Sequence, residues 1–163
     1  MYHQFECGAC FVFATTSALE SQYMIRSKSS KAPHYSVQAT LNCMGDDPCG
    51  GGGLEEPMEF YVQHGVTEDH HAQYQNKALP CRRDYPIALK ATRSCFHVLL
   101  TEEEMQRLVM RNGPAAVAID ARSKRMPYLK RQPLTFHCGK DVDHAVLLVG
   151  WTKEHWIIKN SWG

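Results

Sequence analysis

Two cysteines three residues apart, Cys7-Gly-Ala-Cys10, stand immediately ahead of an apolar run, Phe11-Val-Phe-Ala-Thr-Thr-Ser-Ala-Leu. A thiol at that junction sits at the N-terminal end of a helix. There the macrodipole and unpaired N–H groups favour the thiolate, the form of sulfur that attacks carbonyl carbon or binds metal. Thiolates in electropositive sites titrate as low as about 3.5, against about 8.5 for a free thiol. A shift of that size corresponds to roughly 7 kcal/mol, whereas a helix end contributes at most ~2 kcal/mol. Nucleophilic chemistry therefore requires a cationic partner, and the histidine of Val142-Asp143-His144-Ala-Val is the natural candidate. Asn160, in Lys-Asn160-Ser-Trp162-Gly, offers an amide oxygen to orient that imidazole. Each signal has a plainer reading on its own. A Cys-x-x-Cys before a helix also suits a thiol redox site or half of a zinc site. Against these, no strand precedes the motif, and no second Cys-x-x-Cys or spaced histidine pair completes a metal cage. A lone histidine or asparagine near a strand end is usually structural, and a lone Gln4 or a Gly50–Gly53 run is usually surface.

The elements that must position these groups are legible. Residues 10–25 lack Gly and Pro and are apolar on most sides, which predicts a buried helix. Ser36 caps a short helix reaching Cys43. A third helix spans 54–64, with Pro57 in its first turn and Gly65 as its stop. Residues 66–100 carry weak periodicity and several turn residues. Thr101-Glu-Glu-Glu104 is a capping box, with Leu100 placed to staple onto Met105, and Asn112-Gly-Pro114 ends that helix. Runs 115–119, 144–151 and 155–160 are β-type. A hairpin centred on Thr152 makes residues 144 and 160 cross-strand neighbours. The chain reads α+β in two lobes, a helical one over 1–95 and a β-rich one over 96–163.

Composition narrows the function. The 163 residues are 44% hydrophobic and 21% charged, with 18 Lys+Arg against 17 Asp+Glu and a formal charge of +1. That balance argues against a nucleic acid or a membrane surface as principal partner. No run approaches the roughly 18 apolar residues that span a bilayer. Seven cysteines favour an oxidising compartment and leave at least one thiol free or paired between chains. The first residues have neither the basic end nor the apolar stretch of a signal peptide.

Taken together, Gln4-Phe-Glu-Cys7-Gly-Ala-Cys10-Phe-Val-Phe-Ala14, Asp143-His144-Ala-Val and Lys-Asn160-Ser-Trp162-Gly resemble the papain family of cysteine proteases, including the cathepsin L-like enzymes. His144 and Asn160 follow Cys10 by 134 and 150 residues, within the separations of about 130–150 that the family shows. The resemblance implies a papain-like two-lobe fold, with an active-site cleft between a helical lobe and an antiparallel β-barrel lobe. It implies a cysteine-type endopeptidase acting through a thioester acyl-enzyme. Cys10 would be the nucleophile, His144 its base, Asn160 the orienting amide and Gln4 a donor to the oxyanion. Gly51, Gly52, Val142, Asp143 and Trp162 would lie along the substrate, with Trp162 covering the His144–Asn160 bond. It further implies disulfides Cys7–Cys49 and Cys43–Cys81 and no cofactor or metal. Peptide or protein substrates and protein inhibitors of thiol proteases would be the partners, in a lysosomal or extracellular location. Cys95 has no family partner, and it either bridges to Cys138 or the two remain idle thiols. Phe11 replaces the family's usual tryptophan. Family members extend beyond this chain at both ends, so the barrel is expected to be incomplete. The alternatives are a truncated, catalytically impaired homologue acting as a binding or decoy protein and, more remotely, a redox or zinc protein using Cys7 and Cys10.

Overall fold

The computed structural model describes residues 3–98, 101–122, 133 and 139–163. Leu100, the expected staple partner of Met105, and Cys138 lie outside these. Helix α1 spans Cys10–Ser27 and closes on Lys28, whose left-handed backbone (φ 54°) turns its N–H back to the Met24 carbonyl. Burial on most sides holds for its first half only. Phe11 to Ser17 are buried, whereas Tyr23 and Ile25 are exposed. The first half is enclosed because Phe11, Val12, Phe13 and Ala14 form one core with Val37 and Leu41 on one side and Ala145 on the other.

Helix α2 (Val37–Leu41) is buried throughout and starts where the Ser36 hydroxyl accepts the Ala39 N–H at 2.9 Å. Helix α3 (Glu55–Gln63) tolerates Pro57 because the first-turn N–H groups have no intrahelical partner. It stops before Gly65, at φ +80°, where an added Cβ would also lie 2.7 Å from Ile87 and 2.8 Å from the Leu89 carbonyl. Residues 66–98 contain one short 3₁₀ turn (Asp69–His71) and isolated bridges such as Val66 to Leu89. Helix α4 (Glu102–Asn112) carries the complete capping box. The Thr101 hydroxyl accepts the Glu104 N–H, and the Glu104 carboxylate accepts the Thr101 N–H at 2.8 Å.

Strands β1 (Ala115–Ile119), β2 (His144–Trp151) and β3 (Trp156–Lys159) form an antiparallel sheet in that order, and α1 packs against β1 and β2. The architecture is α+β. The hairpin register differs from the expected one. Residues 152–155 form a four-residue turn, and a shift between Leu148 and Gly150 pairs Leu147 with Lys159. Continued outward, that register sets residue 146, not 144, against 160. A bulge of this kind re-aims the strand beyond it, and His144 reaches Asn160 diagonally.

Glu20 is a buried carboxylate, 6% exposed, that accepts the Tyr35 N–H at 3.1 Å. Burial pushes its pKa up, while the Tyr35 N–H, Lys159 and His34 pull the other way. As pH rises past the ordinary glutamate range of about 4.3, the unfolded chain releases this proton before the folded one does. Stability from this group is therefore full in acid and lost as pH rises through the folded value. Glu20→Gln keeps an acceptor for Tyr35. It is expected to raise the thermal midpoint at pH 7 and to flatten the decline of stability between acid and neutral pH, as read by melting curves across that range.

Candidate active site

Cys10 is the first residue of α1, and no side chain caps that helix. The Val12 and Phe13 N–H groups donate to the Ala9 carbonyl at 3.0 Å, which leaves those of Cys10 and Phe11 available to the sulfur. The thiol is half-buried and lies where the backbone N–H groups of Ala145, Phe11 and Cys10 itself favour its anion. Burial outweighs them and pushes the thiol up, and the Asp143 carboxylate adds to this. Desolvation is thus larger than the helix-end contribution, in keeping with the need for a cationic partner. His144 behaves in the complementary way. Burial lowers it, while the bond to Asn160 and the charge of Asp143 raise it. Each group alone favours its neutral form.

The imidazole is held on two sides. His144 Nε2 lies 2.7 Å from Asn160 Oδ1. That oxygen also accepts the Ser161 N–H at 2.8 Å, which sets which end of the amide faces the ring. An amide oxygen only accepts, so Nε2 carries the proton and Nδ1 is left with its lone pair. Trp162 stacks on the ring, centroids 4.4 Å apart and planes 27° apart. The chain brings Cys10 beside Ala145, the residue after His144, so one β2 end serves both groups.

Gln4 is buried rather than a surface residue, at 7% exposure. Its Oε1 accepts the Ser161 hydroxyl at 2.6 Å, its Nε2 donates to the Cys7 carbonyl at 3.3 Å, and its carbonyl accepts from Tyr74 at 2.7 Å. Among the described residues, the second Nε2 proton has no acceptor. Cys7 is bonded to Cys49 and Cys43 to Cys81. Cys7 therefore has no thiol to share with Cys10 in a redox pair or a metal site. Cys95 is a free, exposed thiol, and the bridge considered from it falls on Cys138, outside the described residues.

Gly51 and Gly52 lie exposed beside the Cys7–Cys49 bridge. Gly51 has φ +106°, which favours glycine outright. Gly52 is glycine for another reason: an added Cβ would fall 2.6 Å from Phe11 Cε2. Val142 is 61% exposed. Asp143 ties the two strands together, its N–H donating to Ile119 at 3.0 Å and its carboxylate accepting the Ala121 N–H at 2.7 Å.

The family profile described as papain family cysteine protease matches residues 1–163. The chain belongs to the papain family. The cathepsin L-like proteinase of Fasciola hepatica is 32% identical to this papain-family chain over 98% of the chain and 51% of its own length. Cathepsin S of Bos taurus is 30% identical over 99% of the chain and 51% of its own length. The chain spans about half the length of these curated relatives. Bromelain protease from Ananas comosus, solved in complex with the E64 inhibitor, superposes with a TM-score of 0.88 at 29% identity, covering 100% of this chain and 77% of that one. The fold is papain-like.

Two residues of this papain-family site escape a reading of single motifs. Ser161 links Gln4 to Asn160 through its hydroxyl and its N–H, and its place between Asn160 and Trp162 was the available signal. Tyr74 reaches Gln4 from 70 residues away and has no sequence signal at all.

Proposed function

We propose that this chain carries the catalytic centre of a cysteine endopeptidase, divided into a helical lobe over 1–95 and a β-rich lobe over 96–163. The observation that carries the reading is His144, buried, fixed through Nε2 by Asn160 and covered by Trp162, on the strand end beside the Cys10 thiol. Nδ1 accepts the Cys10 proton, and Sγ attacks the peptide carbonyl carbon. The oxyanion takes hydrogen bonds from the Cys10 N–H and from Gln4 Nε2. His144 then protonates the leaving amine, and water hydrolyses the thioester. The exposed backbone at Gly51 and Gly52 receives the extended substrate beside it, with Val142 and Asp143 facing it from the other side.

Papain-family relatives with cathepsin names and the two disulfides support a lysosomal or extracellular setting. The E64 complex of bromelain supports thiol-directed inhibitors as ligands. Incubation of the full chain with E64, followed by peptide mapping, is expected to place one adduct on Cys10 and none on Cys95. Labelling of Cys95 in preference to Cys10, or of neither, would refute the reading.

Asn160 positions the imidazole without touching substrate. Asn160→Ala is expected to lower kcat by about a hundredfold, the low end of general acid–base contributions, while Cys10 still reacts with E64. An unchanged kcat in steady-state peptide hydrolysis would remove Asn160 from this role.

A further inference from the structure

Gly51 and Gly52 are glycines for different physical reasons, and the difference points to a residue that sets where the substrate lies. Gly51 needs glycine for its backbone, at φ +106°. Gly52 has no positive φ, so its conformation would admit alanine. What excludes a side chain there is the ring of Phe11: an added Cβ would meet Cε2 at 2.6 Å, Cζ at 2.8 Å and Cδ2 at 3.0 Å. Phe11 itself is 1% exposed and belongs to the main core, so the ring is not free to swing away. Interiors packed to this density pass a displacement on rather than absorb it. Among the described residues, the backbone N–H and C=O of Gly52 have no hydrogen-bond partner, and the residue is exposed. Phe11 is also the residue directly after the nucleophile, in the first turn of α1.

We propose that Phe11 is a positioning residue for substrate. Its ring is the backing plate of the Gly51–Gly52 wall and fixes the distance between the wall's free backbone groups and the Cys10 sulfur. The inference rests on the peptidase reading above, in which that wall hydrogen-bonds an extended peptide. The nucleophile and the wall are then held in register by one side chain packed from behind. Shrinking the ring lets the wall sink and weakens its bonds to peptide. Adding a Cβ at Gly52 lifts the wall, with the same consequence.

The test is a double-mutant cycle on the full chain with an extended peptide substrate. Phe11→Leu and Gly52→Ala are each expected to raise KM about tenfold, the scale of one or two lost backbone hydrogen bonds, with kcat changed less than twofold. The double variant is expected to recover, with KM below that of either single variant, because leucine lacks the ring atoms that the new Cβ would meet. Phe11→Trp, which keeps an aromatic face, is expected to stay closer to wild type than Phe11→Leu. Alkylation of Cys10 by iodoacetamide, which uses no part of the wall, should proceed at the wild-type rate in all four variants. KM effects that simply multiply in the double variant would overturn the proposal. So would a joint fall in kcat and alkylation rate, which would make Phe11 a support for the nucleophile rather than for the wall. Wild-type protein that hydrolyses no peptide and takes up no E64 would instead mark the failure of the peptidase reading itself.

Discussion

His144→Ala is expected to lower peptide hydrolysis by about 10³-fold or more in kcat/KM, the span of a lost general acid–base combined with a lost thiolate. The electrostatics of the site explain why the loss is compound. Burial pushes the Cys10 thiol up and the His144 imidazole down, so neither group ionises alone. Transfer of the proton from sulfur to Nδ1 charges both at once, and their mutual attraction offsets the two desolvation costs. The pair titrates as a unit. Iodoacetamide alkylation across pH reads this directly, with Cys95, free and exposed, as a comparator in the same molecule. At pH 5 a thiol of ordinary pKa, about 8.5, is only about 3 parts in 10⁴ thiolate. An ion-paired sulfur is almost wholly ionised, although its lower basicity takes back about two orders of magnitude in intrinsic reactivity. Wild-type Cys10 should therefore react about thirtyfold faster at pH 5 than such a thiol, and its rate should be nearly flat with pH between 5 and 7. In His144→Ala the plateau should vanish and the rate should climb about tenfold per pH unit. A plateau that survives the substitution would show that another cation holds the thiolate and would remove His144 from the centre.

Legibility in the sequence divides along physical lines. Features set by neighbours along the chain were readable. The α1 start at Cys10, the Ser36 cap, the Thr101–Glu104 box and the Gly65 and Gly113 stops are local chemistry, and the structure places each where the pattern put it. The α+β order followed from the change in periodicity after Pro114. The hairpin shows the limit. Its two strands were evident, but the four-residue turn and the shift beside Val149 depend on packing that no pattern encodes. Side-chain networks were harder still. Nothing local marks Gln4 as buried. It is buried because Ser161 and Tyr74 arrive from distant parts of the chain. The desolvation of Cys10 is illegible for the same reason. The helix end is written in the sequence, but the desolvation that outweighs it comes from the whole surrounding fold.

Removing the Cys7–Cys49 bridge should cost more than stability, and comparison with Cys43–Cys81 separates the two effects. The bridges close loops of similar size, with sequence separations of 42 and 38. Loop-closure entropy then assigns each about 4 kcal/mol, a large share of the 5–15 kcal/mol that stabilises an ordinary domain. Denaturant midpoints of Cys7→Ser/Cys49→Ser and Cys43→Ser/Cys81→Ser should therefore fall by comparable amounts. Their positions differ. The Cys7 carbonyl accepts from Gln4 Nε2, its N–H donates to Asn76 at 3.0 Å, and the Cys49 carbonyl accepts the Gly8 N–H at 2.8 Å. Gly8 itself leaves no room to shift, because an added Cβ there would lie 2.7 Å from that carbonyl and 3.0 Å from the Gly51 nitrogen. The first bridge thus ties the segment before the nucleophile to the glycine wall across a contact with no slack. Its loss releases the wall and the Gln4 donor together, under conditions where most molecules remain folded. Peptide hydrolysis by that variant should show KM raised and kcat lowered, each by about tenfold, while the Cys43–Cys81 variant keeps both near wild type. Equal kinetic losses in the two variants would mean that the first bridge acts through global stability alone.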